Sequence, residues 1–284
     1  MHRIDGPGAA PGNLFTEGDP VGGVPATVVT DDWMNDVQEN IMAVLVAAGV
    51  APTKGRAADL LDSIKALSLG RLINVRRITS SATYIETAGT KSIIVDLTGA
   101  GAGGGGVPAT AAGQLSVAGG GGSGARAMAR FTSGFSGVSM TIGSGGTAGP
   151  IGGNGGNGGA TSFGALLSAA GGLGGVAGPA SSAAPLGSVG GDGGALPTLG
   201  NILNMAGQPG GAAVALAASS FFSGTGANSC LGGGGGRGLP VSTSAGNPAR
   251  GAGAGGGGAA NGASSAGQIG GPGADGQITI YEYA

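Results

Sequence analysis

Glycine is confined rather than scattered: ten of the 70 glycines precede Gly99, and the rest lie between Gly99 and Gly276 in a stretch with almost no charge. Fixing the backbone of so many glycines costs on the order of 100 kcal/mol, at about 1–2 kcal/mol each. Side chains cannot offset that where there are so few of them. The residues Gly152-Gly153-Asn154-Gly155-Gly156-Asn157-Gly158-Gly159 have period three, and Gly103–Gly106, Gly119–Gly122, Gly232–Gly236 and Gly255–Gly258 are uninterrupted runs. Period three matches the polyproline-II helix, which has three residues per turn and no internal hydrogen bonds, so its amides and carbonyls point outward and must pair with neighbours when buried. Two packings follow for the runs: a bundle of polyglycine-II helices joined laterally through the backbone, or ordinary β structure.

Other glycine-rich classes fit less well. A flexible linker is filled with Ser, Glu and Lys, whereas these runs are separated by apolar pieces such as Ala165-Leu166-Leu167, Val214-Ala215-Leu216 and Phe221-Phe222. Collagen needs an unbroken glycine register and more proline than the 14 residues present. An arginine-glycine RNA-binding tail needs arginines, and after Lys91 the basic residues are Arg126, Arg130, Arg237 and Arg250 alone. A formal net charge of −2 offers no electrostatic footprint for nucleic acid. No stretch has the apolar length of a bilayer span, and Met1-His2-Arg3-Ile4-Asp5-Gly6 lacks the apolar core of a secretory signal. The expectation is synthesis in a cytoplasm, with release by lysis or within an assembly. Cys230 is the single cysteine and is expected to be a small buried hydrophobe.

The chain before the glycine runs has three parts. Residues 1–29 form an extended arm punctuated by Gly6-Pro7-Gly8, Pro11-Gly12 and Gly18-Asp19-Pro20, with Leu14 and Phe15 as apolar anchors for an intrachain or a partner surface. Residues 30–70 are helical. Thr30 or Asp31 caps a first helix whose face carries Trp33, Val37, Ile41, Val44 and Leu45, and Gly49 stops it; a second helix covers Arg56 to Leu69. Residues 71–98 turn to β periodicity, with strands predicted at Ile73–Arg76, Tyr84–Thr87 and Ser92–Leu97. A last strand, Gln277–Tyr283, is expected to pair with Ile93–Leu97 and so clamp both ends of the glycine-rich region, 99–284, to one sheet. The fold class is therefore mixed α+β: an extended arm, a short helical oligomerisation segment, then a mainly β glycine-rich domain.

Catalytic inventory is thin. His2 is the only histidine and sits at the N-terminus, while the carboxylates beyond Gly99 are Asp192, Asp275 and Glu282. A triad lacks its base and a glycosidase pair would have to converge from distant positions. No cofactor or metal motif is present, and the expectation is a non-enzymatic protein.

The segments Asp5–Ala10, Asn13–Pro20, Pro25–Asn40 and Ala47–Val50 resemble the N-terminal region of tail fibre proteins of tailed bacteriophages and prophages. Ser92–Asp96 leading into Gly99–Gly106, the piece Thr161–Gly172 and the closing Ile278-Thr279-Ile280-Tyr281-Glu282-Tyr283 resemble the glycine-rich C-terminal domains of phage fibres. Together these cover most of the chain. The resemblance implies a homotrimeric virion protein, joined to a tail or baseplate protein through its N-terminal part and to a host receptor (polysaccharide, pilus or outer-membrane protein) through its distal part. Trp33, Val37, Ile41, Val44 and Leu45 are then the trimer-interface candidates, and Leu14 and Phe15 the virion-docking candidates. A long triple-stranded shaft is missing, which leaves a short fibre and a fibre tip both open. Receptor contacts are expected on the interruptions between glycine runs: Ala125–Phe135, Leu199–Met205, Ser219–Phe222 and Leu239–Asn247. The named candidates are Asn201, Met205, Phe221, Phe222, Arg237 and Arg250, with a core role for the two phenylalanines as the competing assignment. A glycine-rich structural or ice-binding protein, and a tailspike-type depolymerase, are the alternatives from other classes.

Overall fold

A computed structural model describes residues 2–68, 70–217, 220–236 and 243–284. The architecture is mixed α+β and mainly β, with two helices preceding the sheets. The chain divides into two compact units, Met1–Arg71 and Leu72–Ala284.

In the first unit the arm is folded onto the helices rather than free. The Val28 amide donates to the Pro7 carbonyl at 2.9 Å, and the Thr27 amide to Thr16 at 3.0 Å. Gly6 lies so close to the Val28 carbonyl that no Cβ would fit there. The first helix, α1 (Asp31–Ala47), begins where Thr30 accepts a hydrogen bond from the Trp33 amide, with Asp31 and Asp32 at the positive end of its dipole. The second, α2 (Asp59–Leu67), starts three residues later than its periodicity suggested. Arg56 is held in the preceding turn by Asp59 and Asp62, and Asp59 also accepts from the Thr53 amide at 2.7 Å. His2, although it sits at the N-terminus, is tied to Asp36 of α1 through both its amide and its ring Nδ1, each at 2.9 Å. Among the described residues of this unit, Ile4 and Leu45 are the buried large apolar side chains, which is a very small core.

The second unit is framed by an antiparallel five-stranded sheet. Its strands run in the order 72–78, 277–283, 92–98, 126–131, 203–205. The expected clamp is present: Ile278 lies opposite Leu97, Ile280 opposite Val95 and Glu282 opposite Ile93. Alternation puts Ile93, Val95, Leu97, Ala127, Ala129, Ile278 and Ile280 on one face, where they pack on Phe163 and Leu167 of a second sheet built from 82–83, 139–141, 161–163 and 167–169. Residues 84–87, expected as a strand, instead run into this core. Tyr84 is fully buried, its hydroxyl donating to Glu282 Oε1 at 2.7 Å, and the Thr87 hydroxyl donates to Glu282 Oε2 at 2.5 Å. Burial pushes the Glu282 carboxylate up, but hydrogen bonds from Thr87, Tyr84 and Asn74 outweigh it and hold the group below its usual range.

The glycine runs follow polyglycine-II packing. Gly103, Gly104, Gly105 and Gly106 donate in turn to Gly156, Gly271, Gly119 and Gly153, each at 2.9 Å, so the partner segment repeats every three residues. Segments 118–125 and 253–260 rotate through partners in the same way, and the three segments bond to one another: Ala102 to Gly122, Gly121 to Gly256 and Gly256 to Ala102. Every residue of all three is buried. They are central helices surrounded by others, and the residues facing their neighbours are almost all glycine or alanine, with Ser123 admitted because its hydroxyl accepts from the Gln208 amide at 2.8 Å. A Cβ on Gly104 would fall on the Gly257 carbonyl, and one on Gly120 on that of Thr225.

Around them stand helices exposed on one face in three. In 170–178 Gly172, Gly175 and Gly178 are buried while Leu173 and Val176 face solvent. The Gly-Gly-Asn repeat belongs to this ring. Asn157 Oδ1 accepts from the Gly174 amide at 2.9 Å and Asn154 Oδ1 from Ala177 at 2.8 Å, capping amides of the adjacent helix that have no backbone partner. Asn228 and Asp275 do the same for the Gly234 and Gly145 amides, at 2.8 and 2.7 Å.

Candidate functional site

The helices leave the five-stranded sheet at one end of the bundle and reverse direction at the other. Strand 92–98 runs straight into central helix 99–107, and the Gly178 amide reaches Gly106 while the Ser116 hydroxyl donates to the Gly178 carbonyl at 2.9 Å. The distal end therefore contains residues 106–118 and what packs there. It is closed by a three-stranded sheet in the order 220–222, 213–217, 186–188, resting on the pair 116–117 and 260–261. Leu115, Val117, Ala213, Ala215, Phe221 and Ala260 form its apolar core.

Phe221 takes the core alternative and is withdrawn as a receptor contact, because its ring is fully buried beneath this sheet. Its neighbour lies on the other face. Phe222 is half-buried and lies opposite Val214, so alternation sets these two on the outer surface with Leu216. Val214 is 43% and Leu216 61% exposed, and Gly187 is paired across from Val214. Ile151, Val189 and Ile269 are exposed in other distal segments. The distal segments 108–117, 150–153, 179–190, 212–217, 220–222 and 261–269 contain no charged residue; a further distal segment, entered at Thr243 and Ser244 through their bonds to Ser265 and Ala260, follows Arg237, which lies outside the described residues. Apart from Asp192, the described charged residues of this unit belong to the sheet end.

The other candidates do not converge on that surface. Asn201 is spent on structure: its Oδ1 accepts from the Arg130 amide at 2.8 Å and its Nδ2 donates to the Arg130 carbonyl at 3.0 Å. Met205 sits on the sheet's edge strand opposite Arg126 and lines a cavity of about 190 Å³ with Ser123, Gln208, Asn228 and Cys230. Arg250 is exposed, with its amide bonded to Gly233, also at the sheet end. Arg237 lies outside the described residues. Ala125–Phe135, expected as a loop, is largely the strand Arg126–Phe131, because Ala127 and Ala129 fit beneath the sheet while Arg126 pairs with Asp96 at 2.7 and 2.8 Å. Cys230 is exposed rather than buried.

In the first unit Phe15 meets Trp33 edge-on, ring centroids 5.2 Å apart, so this anchor is partly used within the chain while remaining 53% exposed. Leu14 is 55% exposed. Of the α1 candidates, Leu45 is buried, Trp33 and Val44 are half-buried, and Val37 and Ile41 line a groove of about 300 Å³ with Met34, Gln38 and Met42. Glu282 and Asp275 carry the structural hydrogen bonds described above. No described helix is long and apolar enough to cross a membrane.

The buried Tyr84–Glu282–Thr87 cluster had no sequence signal beyond an isolated acid in an apolar strand. The distal surface had one that was legible: a run of segments without charge.

No family model matches the chain. It is 39% identical over 94 residues to a protein of Escherichia coli (strain K12) named Uncharacterized protein StfP. The match covers 31% of this chain and 44% of that relative, so the chain spans less than half of the relative's length.

Proposed function

We propose that this protein is a tail fibre, or fibre tip, of a tailed bacteriophage or prophage: a structural virion protein without enzymatic activity that binds a host-cell surface by the distal end of its glycine bundle. The observation that carries the reading is the contrast between the two ends of the second unit. One end is a charged, hydrogen-bonded sheet, and the described turns of the other expose side chains such as Val214 and Leu216 on a backbone-bonded bundle. Rigid elements presenting variable loops are a common arrangement for binding.

The resemblance of residues 5–50 to fibre N-termini supports attachment to a tail or baseplate protein through the first unit. That unit exposes Leu14, Phe15, Met34, Ile41, Leu61 and Ile64 while burying almost nothing, as a segment completed by other chains does. We assign Val37, Ile41 and their neighbours on α1 to a homotrimer interface. Light scattering of the full chain should report a trimer, and the labelled protein should stain at least one strain of a panel of enteric bacteria. A monomer that stains none contradicts the proposal.

A further inference from the structure

We infer that the groove on α1 is filled by α2 of a neighbouring copy, so that the chains join head to tail rather than α1 against α1, a reading that rests on the homotrimer proposed above and adds which surfaces meet. The starting point is α2. An amphipathic helix ordinarily buries its apolar stripe and exposes its polar side. This one does the reverse: Asp59 and Ser63 are its buried residues, while Leu60 at 39%, Leu61 at 53%, Ile64 at 50% and Leu67 at 49% are exposed. Spacings of three and four residues set these four along one side of the helix. Polar bonds hold the helix in that rotation, since the Ser63 hydroxyl donates to the Asp59 carbonyl at 2.7 Å and the Asp59 carboxylate accepts from the Thr53 amide and pairs with Arg56. Turning the stripe inward would break them.

The matching surface lies on α1. Met34, Val37, Gln38, Ile41 and Met42 line its groove of about 300 Å³, with Met34 52% and Ile41 43% exposed. Methionines at both ends of such a groove let it adapt to the side chains that enter. Ridge and groove are both uncovered in one chain, so a second copy is needed to bring them together. Charge favours the same pairing. Helix α1 carries Asp31, Asp32, Asp36 and Glu39 and no basic residue, which sets like charges against each other if α1 packs on α1. The α2 side supplies Lys65, beside Ile64 of the stripe, and Lys54 in the preceding connection; neither has an ion-pair partner among the described residues, whereas Arg56 is held by Asp59 and Asp62. Groove and stripe are different surfaces, so the contact is heterologous and closes as a ring of copies.

The test uses the full chain with Cys230→Ser, which removes the exposed native thiol, and a short bismaleimide cross-linker. Chains carrying Ile41→Cys and chains carrying Ile64→Cys, co-expressed, should give covalent dimers on a denaturing gel, and either chain expressed alone should not. Leu61→Asp combined with Ile64→Asp, both at exposed positions, should weaken association about tenfold or more in light scattering of a dilution series. The melting transition of the second unit should stay unchanged, because the stripe lies in the first. A wild-type trimer in which Ile41→Cys cross-links alone, in which the co-expressed pair does not cross-link, or which persists at full strength in the doubly substituted chain overturns the pairing while leaving the trimer. A wild-type monomer overturns the proposed trimer, and the pairing with it.

Discussion

The two units order their chains by opposite means. Residues 2–68 rely on side chains, with Ile4 and Leu45 buried, Phe15 on Trp33 and His2 on Asp36, and they leave many large apolar groups exposed. Among the described residues the unit from Leu72 onward has its main side-chain cores at its sheets, with a small cluster of Val107, Ala118 and Ala259 among the central helices; between the sheet end and the distal end it is held largely by backbone hydrogen bonds. The lesson is that a sequence poor in large side chains can still specify one structure if it also removes side chains wherever backbones must touch. A central glycine is then a packing residue, as consequential as a leucine in an ordinary core.

The sharpest way to break that comparison is to add a methyl group. Gly104→Ala places a Cβ on the Gly257 carbonyl, and the cost should exceed about 3 kcal/mol or prevent folding. Gly233→Ala, in a peripheral run where the nearest obstacle is Asn228 Oδ1 at 3.9 Å, should change stability by less than about 1 kcal/mol. Similar costs at both sites, measured by denaturant unfolding, would mean that the runs are not packed as described.

A smaller effect is expected at the sheet that anchors the bundle. Glu282→Gln weakens the charge-assisted bonds from Thr87 and Tyr84, costing about 2 kcal/mol. The carboxylate is held below its ordinary value of about 4.5, so its contribution is full above that pH and is lost as pH falls through the lowered value. Melting temperatures recorded from about pH 7 down to about pH 3 should therefore fall more steeply for the wild type than for the Gln variant. Parallel curves would remove Glu282 from the account.

The smallest effects separate ring caps from surface residues. Asn157→Ala strips the Gly174 amide of its acceptor and should cost about 1 kcal/mol, read as faster exchange at that amide. Ile41→Ala in the first unit should change the stability of the second by less than about 0.5 kcal/mol, because it lies in a different compact unit.

Much of this was legible from residues alone. Alternation in Ile93–Leu97 and Ile278–Tyr283 was enough to foretell their pairing, because one buried face fixes register. Period three in Gly152–Gly159 raised the polyglycine-II helix with ordinary β structure as its alternative, and the structure both decides between them and separates unbroken runs at the centre from Gly-Gly-Asn on the ring. Less could be read where a short apolar pair has two faces to choose between. Nothing local distinguishes Phe221 from Phe222, since the choice depends on the register of 220–222 against 213–217, and that in turn on the distal core from Leu115 to Ala260. Asn201 looked like an exposed loop amide because its role, bonding the backbone of Arg130, joins residues far apart in sequence. The strand expected at Tyr84–Thr87 fails for a similar reason: Tyr84 reads as a strand residue until Glu282 supplies the partner that draws its hydroxyl inward.

Hydrogen exchange on the full chain tests the central claim most directly, since the account rests on glycine amides bonded to other segments and removed from solvent. Amides of Gly103–Gly106 and Gly119–Gly122 should be among the slowest in the molecule, slower than those of Gly152–Gly159 on the ring and far slower than those of the arm before Thr30. Exchange at random-coil rates through the central runs would contradict it.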